Sequence, residues 1–226
     1  MKILARGSKA RVEELKLKLS SVEHQLKWIE DSDLSSANVH EYDLIFDLKF
    51  DDRPDQLRYY GSIKGIPLIV GAVKQQLAKA SLDFGRKLDF MLVGMNTLPT
   101  FIQRNLSELS LLDKKYEAQL MALMQNLGWN YRLVNDRVGM VTPRVIFMII
   151  NEACYTLQEG TASMPDIDTS MKLGTNYPFG PFEWADRIGI KHVYETLEAV
   201  YNDTHDERYK ICPLLKTKFL KGESFY

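Results

Sequence analysis

The sequence of 226 residues is short of several things that would narrow its chemistry at once. It has two cysteines, Cys154 and Cys212, without a C-x-x-C spacing, so neither a disulfide framework nor a zinc site is indicated; both read as reduced thiols, Cys154 as a packing residue. It has no surplus of basic charge. Its 29 Lys and Arg stand against 30 Asp and Glu, a net charge of −1, which argues against nucleic acid or an anionic membrane surface as a partner. It has no long apolar run: the longest, residues 145–150, is far too short to cross a bilayer. The first residues lack the apolar segment of a secretory leader, so the expectation is a cytoplasmic protein with no membrane attachment. What is present, 45% hydrophobic and 26% charged residues, suits a globular chain of one large or two modest domains.

Glycine is scarce where it would matter most. The opening MKILARGSKARVEEL reads as a short strand, Ile3-Leu4-Ala5, that turns through Arg6-Gly7-Ser8 into a helix with Val12, Leu15 and Leu19 on one face. A dinucleotide-binding βαβ unit would carry G-x-G-x-x-G at that turn, so that bare backbone meets the pyrophosphate, and only Gly7 is there. Gly7, Ser8 and the helix N-terminus could accept a phosphate with Arg6 paired to it, and Glu30 and Asp31 stand where an acid binds ribose hydroxyls. The plainer reading is a β-to-α turn and strand-end acids, because Lys9 and Val12 project side chains where the motif wants none. The expectation is a nucleotide fold kept in shape, with NAD binding weakened or lost.

Short apolar runs at 2–5, 25–29, 43–48, 67–73, 90–94 and 130–134 alternate with amphipathic stretches and predict an α/β layer over residues 1–136. A helix with Leu120, Leu123, Met124 and Leu127 on one face is closed by Gly128. Residues 137–226 predict an all-α domain: a helix over 145–158 closed by Gly160; one capped by Ser163 with Pro165 in its first turn and Gly174 at its end; one from Pro181 to Gly189; and one marked by Val193, Leu197, Val200 and Tyr201. The fold class is an α/β Rossmann-like N-terminal domain followed by an all-α C-terminal domain.

The helical half carries Asn151-Glu152-Ala153, Glu159-Gly160, Asp166-Ile167-Asp168, Met171-Lys172-Leu173-Gly174, Pro178-Phe179-Gly180-Pro181 and Asp186. Arg208-Tyr209, Pro213-Leu214-Leu215, Gly222, Phe225 and Tyr226 follow. Together these resemble the C-terminal domain of the 3-hydroxyacyl-CoA dehydrogenase family. Most read as fold-setting: Asp166 and Asp168 as acids at a helix N-terminus rather than a metal pair, Phe182 and Trp184 as core or subunit-interface residues. The resemblance implies oxidation of a 3-hydroxyacyl-CoA with NAD as cofactor, a homodimer formed by the helical domain, and a place in fatty-acid metabolism. It also implies a His base held by a Glu, both from the N-terminal domain.

The family's catalytic stretch has the form G-M-H-F-F-N-P, with the Glu twelve positions after the His. Here VGMNTLPTFIQRNLSEL matches at Gly94-Met95, puts Asn96 where the His would stand, and reaches Glu108 on counting twelve. An amide can orient a carbonyl but cannot serve as a base. Glu108 has a plainer reading as a solvated helix residue. His24, His40, His192 and His205 all lie outside this stretch; the polar strand-end motif is replaced by Val70-Gly71-Ala72-Val73, and the Asn expected before Arg144 is Pro143. The changes fall on functional positions, which predicts either an impaired or altered dehydrogenase or an inactive relative that binds acyl-CoA or another protein.

Overall fold

A computed structural model describes residues 1–20, 23–30 and 38–226. Asp31 lies outside the described residues. The chain divides into two compact units, Met1–Met140 and Val141–Tyr226.

The first unit is built on a seven-stranded sheet in the order β2-β1-β3-β4-β5-β6-β7. The strands are β1 Lys2–Arg6, β2 Gln25–Ile29, β3 Leu44–Asp47, β4 Leu68–Gly71, β5 Leu92–Met95, β6 Leu106–Leu111 and β7 Asn130–Leu133. All neighbouring pairs run parallel except β5 with β6. The central strands are buried on both faces, which is why they read as unbroken apolar runs. Side chains alternate between two cores. Ile3, Ala5, Phe46, Ile69 and Val93 share one with Val12 and Leu15 of α1 (Lys9–Leu19) and Leu120 and Met124 of α3 (Glu117–Leu127). Leu4, Ile45, Leu68, Val70 and Leu92 share the other with Leu77 and Ala80 of α2 (Leu77–Phe84) and Tyr60 of the 3-10 turn Pro54–Tyr60. Because β1 lies between β2 and β3, the sheet reverses direction at β1 and β3, and in open α/β sheets a ligand crevice opens at the carboxyl ends of such strands.

The six expected strands are present with ends shifted by one to three residues, and β6 is an addition. Its sequence LSELSL breaks the apolar pattern with two serines and a glutamate. The expectation of a helix around Glu108 is therefore corrected: Glu108 is a strand residue.

The second unit is helical: α4 Thr142–Gln158, α5 Met164–Thr175, α6 Pro181–Ile188, α7 Ile190–Thr204 and α8 Pro213–Lys221. Ser163 caps α5, its hydroxyl accepting the Asp166 N–H at 3.4 Å. The helix runs one residue past Gly174 and closes on Asn176 in the left-handed region, φ 56°, a conformation that asparagine tolerates. Asp168 acts differently from the expectation of an acid serving its own helix: its carboxylate accepts the N–H groups of Phe182 at 2.9 Å and Glu183 at 3.1 Å and so caps α6. Phe182 and Trp184 are buried core residues, Phe182 against the Phe225 ring at 4.6 Å.

Candidate functional site

The β1–α1 turn is where a nucleotide phosphate would meet the fold, and its geometry follows from three large side chains. Arg6 ends β1 and Asp47 ends β3, paired in register on adjacent parallel strands. The Arg6 guanidinium, 2% exposed, donates from Nη1 to Asp47 Oδ2 at 2.9 Å, and the Tyr60 hydroxyl donates to the same oxygen at 2.9 Å. Burial pushes the Asp47 carboxyl up, and Arg6 and Tyr60 pull it back toward the charged form. The expectation that Arg6 could take a phosphate is corrected: it serves a carboxylate beneath the crevice.

Arg11, in the first turn of α1, is 3% exposed. Its Nη1 donates to the carbonyl oxygen of Leu48, just past the end of β3, and its Nη2 lies 4.0 Å from Asp52, which also accepts Lys74 Nζ at 2.7 Å. The Trp28 indole donates to the Gly7 carbonyl at 2.9 Å, and a Cβ on Gly7 would come within 3.0 Å of Leu48. Ser8 precedes α1 without its side chain capping it, and Glu30 is exposed beyond β2. A dinucleotide's pyrophosphate needs bare backbone at this turn, and here the chain's own guanidinium and indole groups stand against it. The residues present do not fit NAD. Arg11 escapes the motif reading because it matters through its reach toward Leu48, 37 residues away.

The second cluster sits at the carboxyl end of β5. The antiparallel register pairs Val93 with Leu111, Gly94 with Ser110 and Met95 with Leu109; one further step sets Asn96 opposite Glu108. Directly opposed residues share a face with Cβ atoms roughly 4.5–5.5 Å apart. The twelve-residue spacing thus brings both candidate residues together across a hairpin. Asn96 is buried, its Oδ1 accepting the Leu98 N–H at 3.2 Å. Glu108 is half-buried on β6 and favours the charged state of Arg104. Thr97 donates its hydroxyl to Leu48 O at 2.8 Å, and Gly71 leaves room for it, since a Cβ there would overlap Thr97 Oγ1. The pair offers an amide and a carboxylate, without the imidazole a general base near neutral pH requires. Pro143 falls in the first turn of α4, where its missing N–H costs no helical bond.

Residues 139–224 match the family model described as 3-hydroxyacyl-CoA dehydrogenase, C-terminal domain. The 3-hydroxyadipyl-CoA dehydrogenase of Escherichia coli is 41% identical over 97 residues, 43% of this chain and 20% of that protein. The probable 3-hydroxybutyryl-CoA dehydrogenase of Bacillus subtilis is 41% identical over 103 residues, 46% of this chain and 36% of that protein. The chain thus spans about a third or less of the length of these relatives. Among solved structures, the (S)-3-hydroxybutyryl-CoA dehydrogenase of Ralstonia eutropha superposes with a TM-score of 0.75 at 20% identity, over 98% of this chain and 94% of that one. FadB2 of M. tuberculosis does so with a TM-score of 0.78 at 14% identity, over 99% and 97%. Those two establish the fold, and the local match carries the lineage: the chain belongs to the 3-hydroxyacyl-CoA dehydrogenase family.

Proposed function

We propose that the chain recognises 3-hydroxyacyl-CoA-type thioesters in fatty-acid metabolism and that its NAD-dependent oxidoreduction is impaired. The observation that carries this is Asn96 at the end of β5, across from Glu108, in the position the family gives to its base. Losing a positioned base costs roughly a hundredfold to ten-thousandfold in rate. With saturating NAD and 3-hydroxybutyryl-CoA, NADH formation is expected at least about a hundredfold below that of an ordinary family member assayed beside it. Asn96→His is expected to recover nothing, because Arg11 and Trp28 close the β1–α1 turn. Turnover by the unmodified protein within about tenfold of the control would sink this reading.

A second reading, an inactive relative serving as an acyl-CoA-binding or protein-interaction module, draws on the same closed turn. Both readings are of a cytoplasmic protein, with residues 1–136 as the divergent nucleotide-type domain and 137–226 as the helical domain. Among the described residues no helix is long and apolar enough to cross a membrane. Both also expect a homodimer through the helical half. Val141, Val145 and Leu173 are exposed there, and a domain of that size has limited interior to hide more apolar surface. Light scattering is expected to give twice the chain mass of 26.1 kDa; a monomeric mass at micromolar concentration would count against the dimer.

A further inference from the structure

Two buried asparagines behave differently. Asn151, 3% exposed in α4, uses both ends of its amide: Nδ2 donates to the Lys210 carbonyl at 2.9 Å and Oδ1 accepts the Cys212 N–H at 2.9 Å. It is a structural clasp with nothing left over. Asn96, 5% exposed, uses one end. Its Oδ1 accepts from Leu98 N, and since a backbone N–H can only donate, that contact fixes which end of the amide is the oxygen. Nδ2 then points away from the only backbone partner the side chain has, and among the described residues no protein acceptor meets it. A donor withdrawn from bulk water and left without an acceptor is costly, so its presence at a strand end calls for a reason.

The segment that follows is held in one shape. Thr97 is tied to Leu48, the Thr100 N–H donates to Glu14 Oε1 at 2.9 Å, and Arg104 Nε donates to the Thr100 carbonyl at 3.3 Å. Thr100 sits at φ 74°, an unfavourable conformation for a β-branched residue that persists only where its surroundings impose it. The free amide donor is therefore presented from a fixed support, as binding groups are when orientation matters.

We infer that Asn96 makes this a site for acceptor-only oxygen: Nδ2 donates to the C3 carbonyl of a 3-oxoacyl thioester and prefers it to the 3-hydroxyacyl form. This rests on the acyl-CoA reading proposed above. An imidazole base takes the proton of a 3-hydroxyl. Asn96 cannot, because its oxygen is engaged by Leu98 and an amide has no useful basicity, while the neighbouring carboxylate of Glu108 interacts with the Arg104 cation. A bound hydroxyl would carry a proton to be placed; a bound ketone carries none. The substitution of amide for imidazole thus changes what the position recognises as well as what it cannot catalyse.

The test is titration calorimetry of the full chain, without nucleotide, against acetoacetyl-CoA, 3-hydroxybutyryl-CoA and butyryl-CoA, three thioesters of equal chain length. Acetoacetyl-CoA is expected to bind about tenfold more tightly than 3-hydroxybutyryl-CoA, the size expected for one well-placed donor. Asn96→Asp keeps an oxygen for Leu98 and exchanges the donor for an acceptor, and is expected to abolish or reverse the preference. Asn96→Leu is expected to abolish it. Equal binding of the oxo and hydroxy forms by the unmodified protein overturns the inference and leaves the acyl-CoA reading standing. Binding of none of the three overturns both. An unchanged preference in Asn96→Asp, folded by circular dichroism, removes the assignment from Asn96.

Discussion

Arg6→Ala is expected to cost the first unit about 3–5 kcal/mol of stability, the penalty typical of leaving one partner of a buried ion pair uncompensated. Asp47 is 0% exposed, and without the guanidinium its carboxylate keeps only the Tyr60 hydroxyl at 2.9 Å and the Lys49 N–H at 3.2 Å. Asp47→Ala should cost a similar amount by stranding Arg6. The double change to Met at 6 and Leu at 47 is expected to be milder than either single change, because it removes the desolvation penalty together with the attraction. Urea denaturation followed by tryptophan fluorescence reads this directly, since Trp28 and Trp129 both lie in this unit. A loss below about 1 kcal/mol for either single variant would show that the pair is solvated and the crevice floor open.

Gly180→Ala is expected to destabilise the second unit by about 3–5 kcal/mol, combining overpacking with the loss of a helix cap. A Cβ at position 180 would overlap Cβ, Cγ and Oδ1 of Asp168, so the carboxylate must leave its place. With it go the N–H acceptors for Phe182 and Glu183 and the hydroxyl contact from Tyr226 at 2.9 Å, on a segment that seats the Phe182 ring in the core. Asp168→Ala relieves the overlap and keeps the loss of the cap, so it should cost less, about 1–3 kcal/mol. Near-UV dichroism of Trp184 through a thermal ramp follows the change. Equal stability of Gly180→Ala and the unmodified protein would mean that the close approach of Gly180 to Asp168 does not exist in solution.

These two clusters also mark what the sequence could and could not tell. Helix punctuation is local, so the cap at Ser163, the opening at Pro181 and the closures at Gly160 and Gly189 were readable from a few residues each. Buried parallel strands announce themselves as apolar runs, and β1, β3, β4 and β5 did. The strand β6 did not, because its serines face a neighbour rather than solvent: Ser110 is buried beside Gly94, across from it in the ladder. Arg6 looked like a phosphate ligand because its true partner is 41 residues away, and Asp168 looked like a dipole acid because its partners lie 14 and 15 residues on. Asn96 and Glu108 were found by count, and their juxtaposition needed the strand that was missed.

That hairpin also sets a rule for how the segment between β5 and β6 can change length. In the antiparallel ladder each opposed pair, from Val93 with Leu111 to Met95 with Leu109, adds to the same total, and Asn96 with Glu108 adds to it too. With β6 held in place by β7, one residue inserted before Glu108 and taken up by β6 slipping along β5 would turn the carboxylate to the opposite face of the sheet. Two residues would restore the face and displace the group by roughly 7 Å along the strand. Descendants of this chain that keep the amide and the carboxylate as neighbours can therefore vary the composition of the loop freely, and its length only where a bulge absorbs the change.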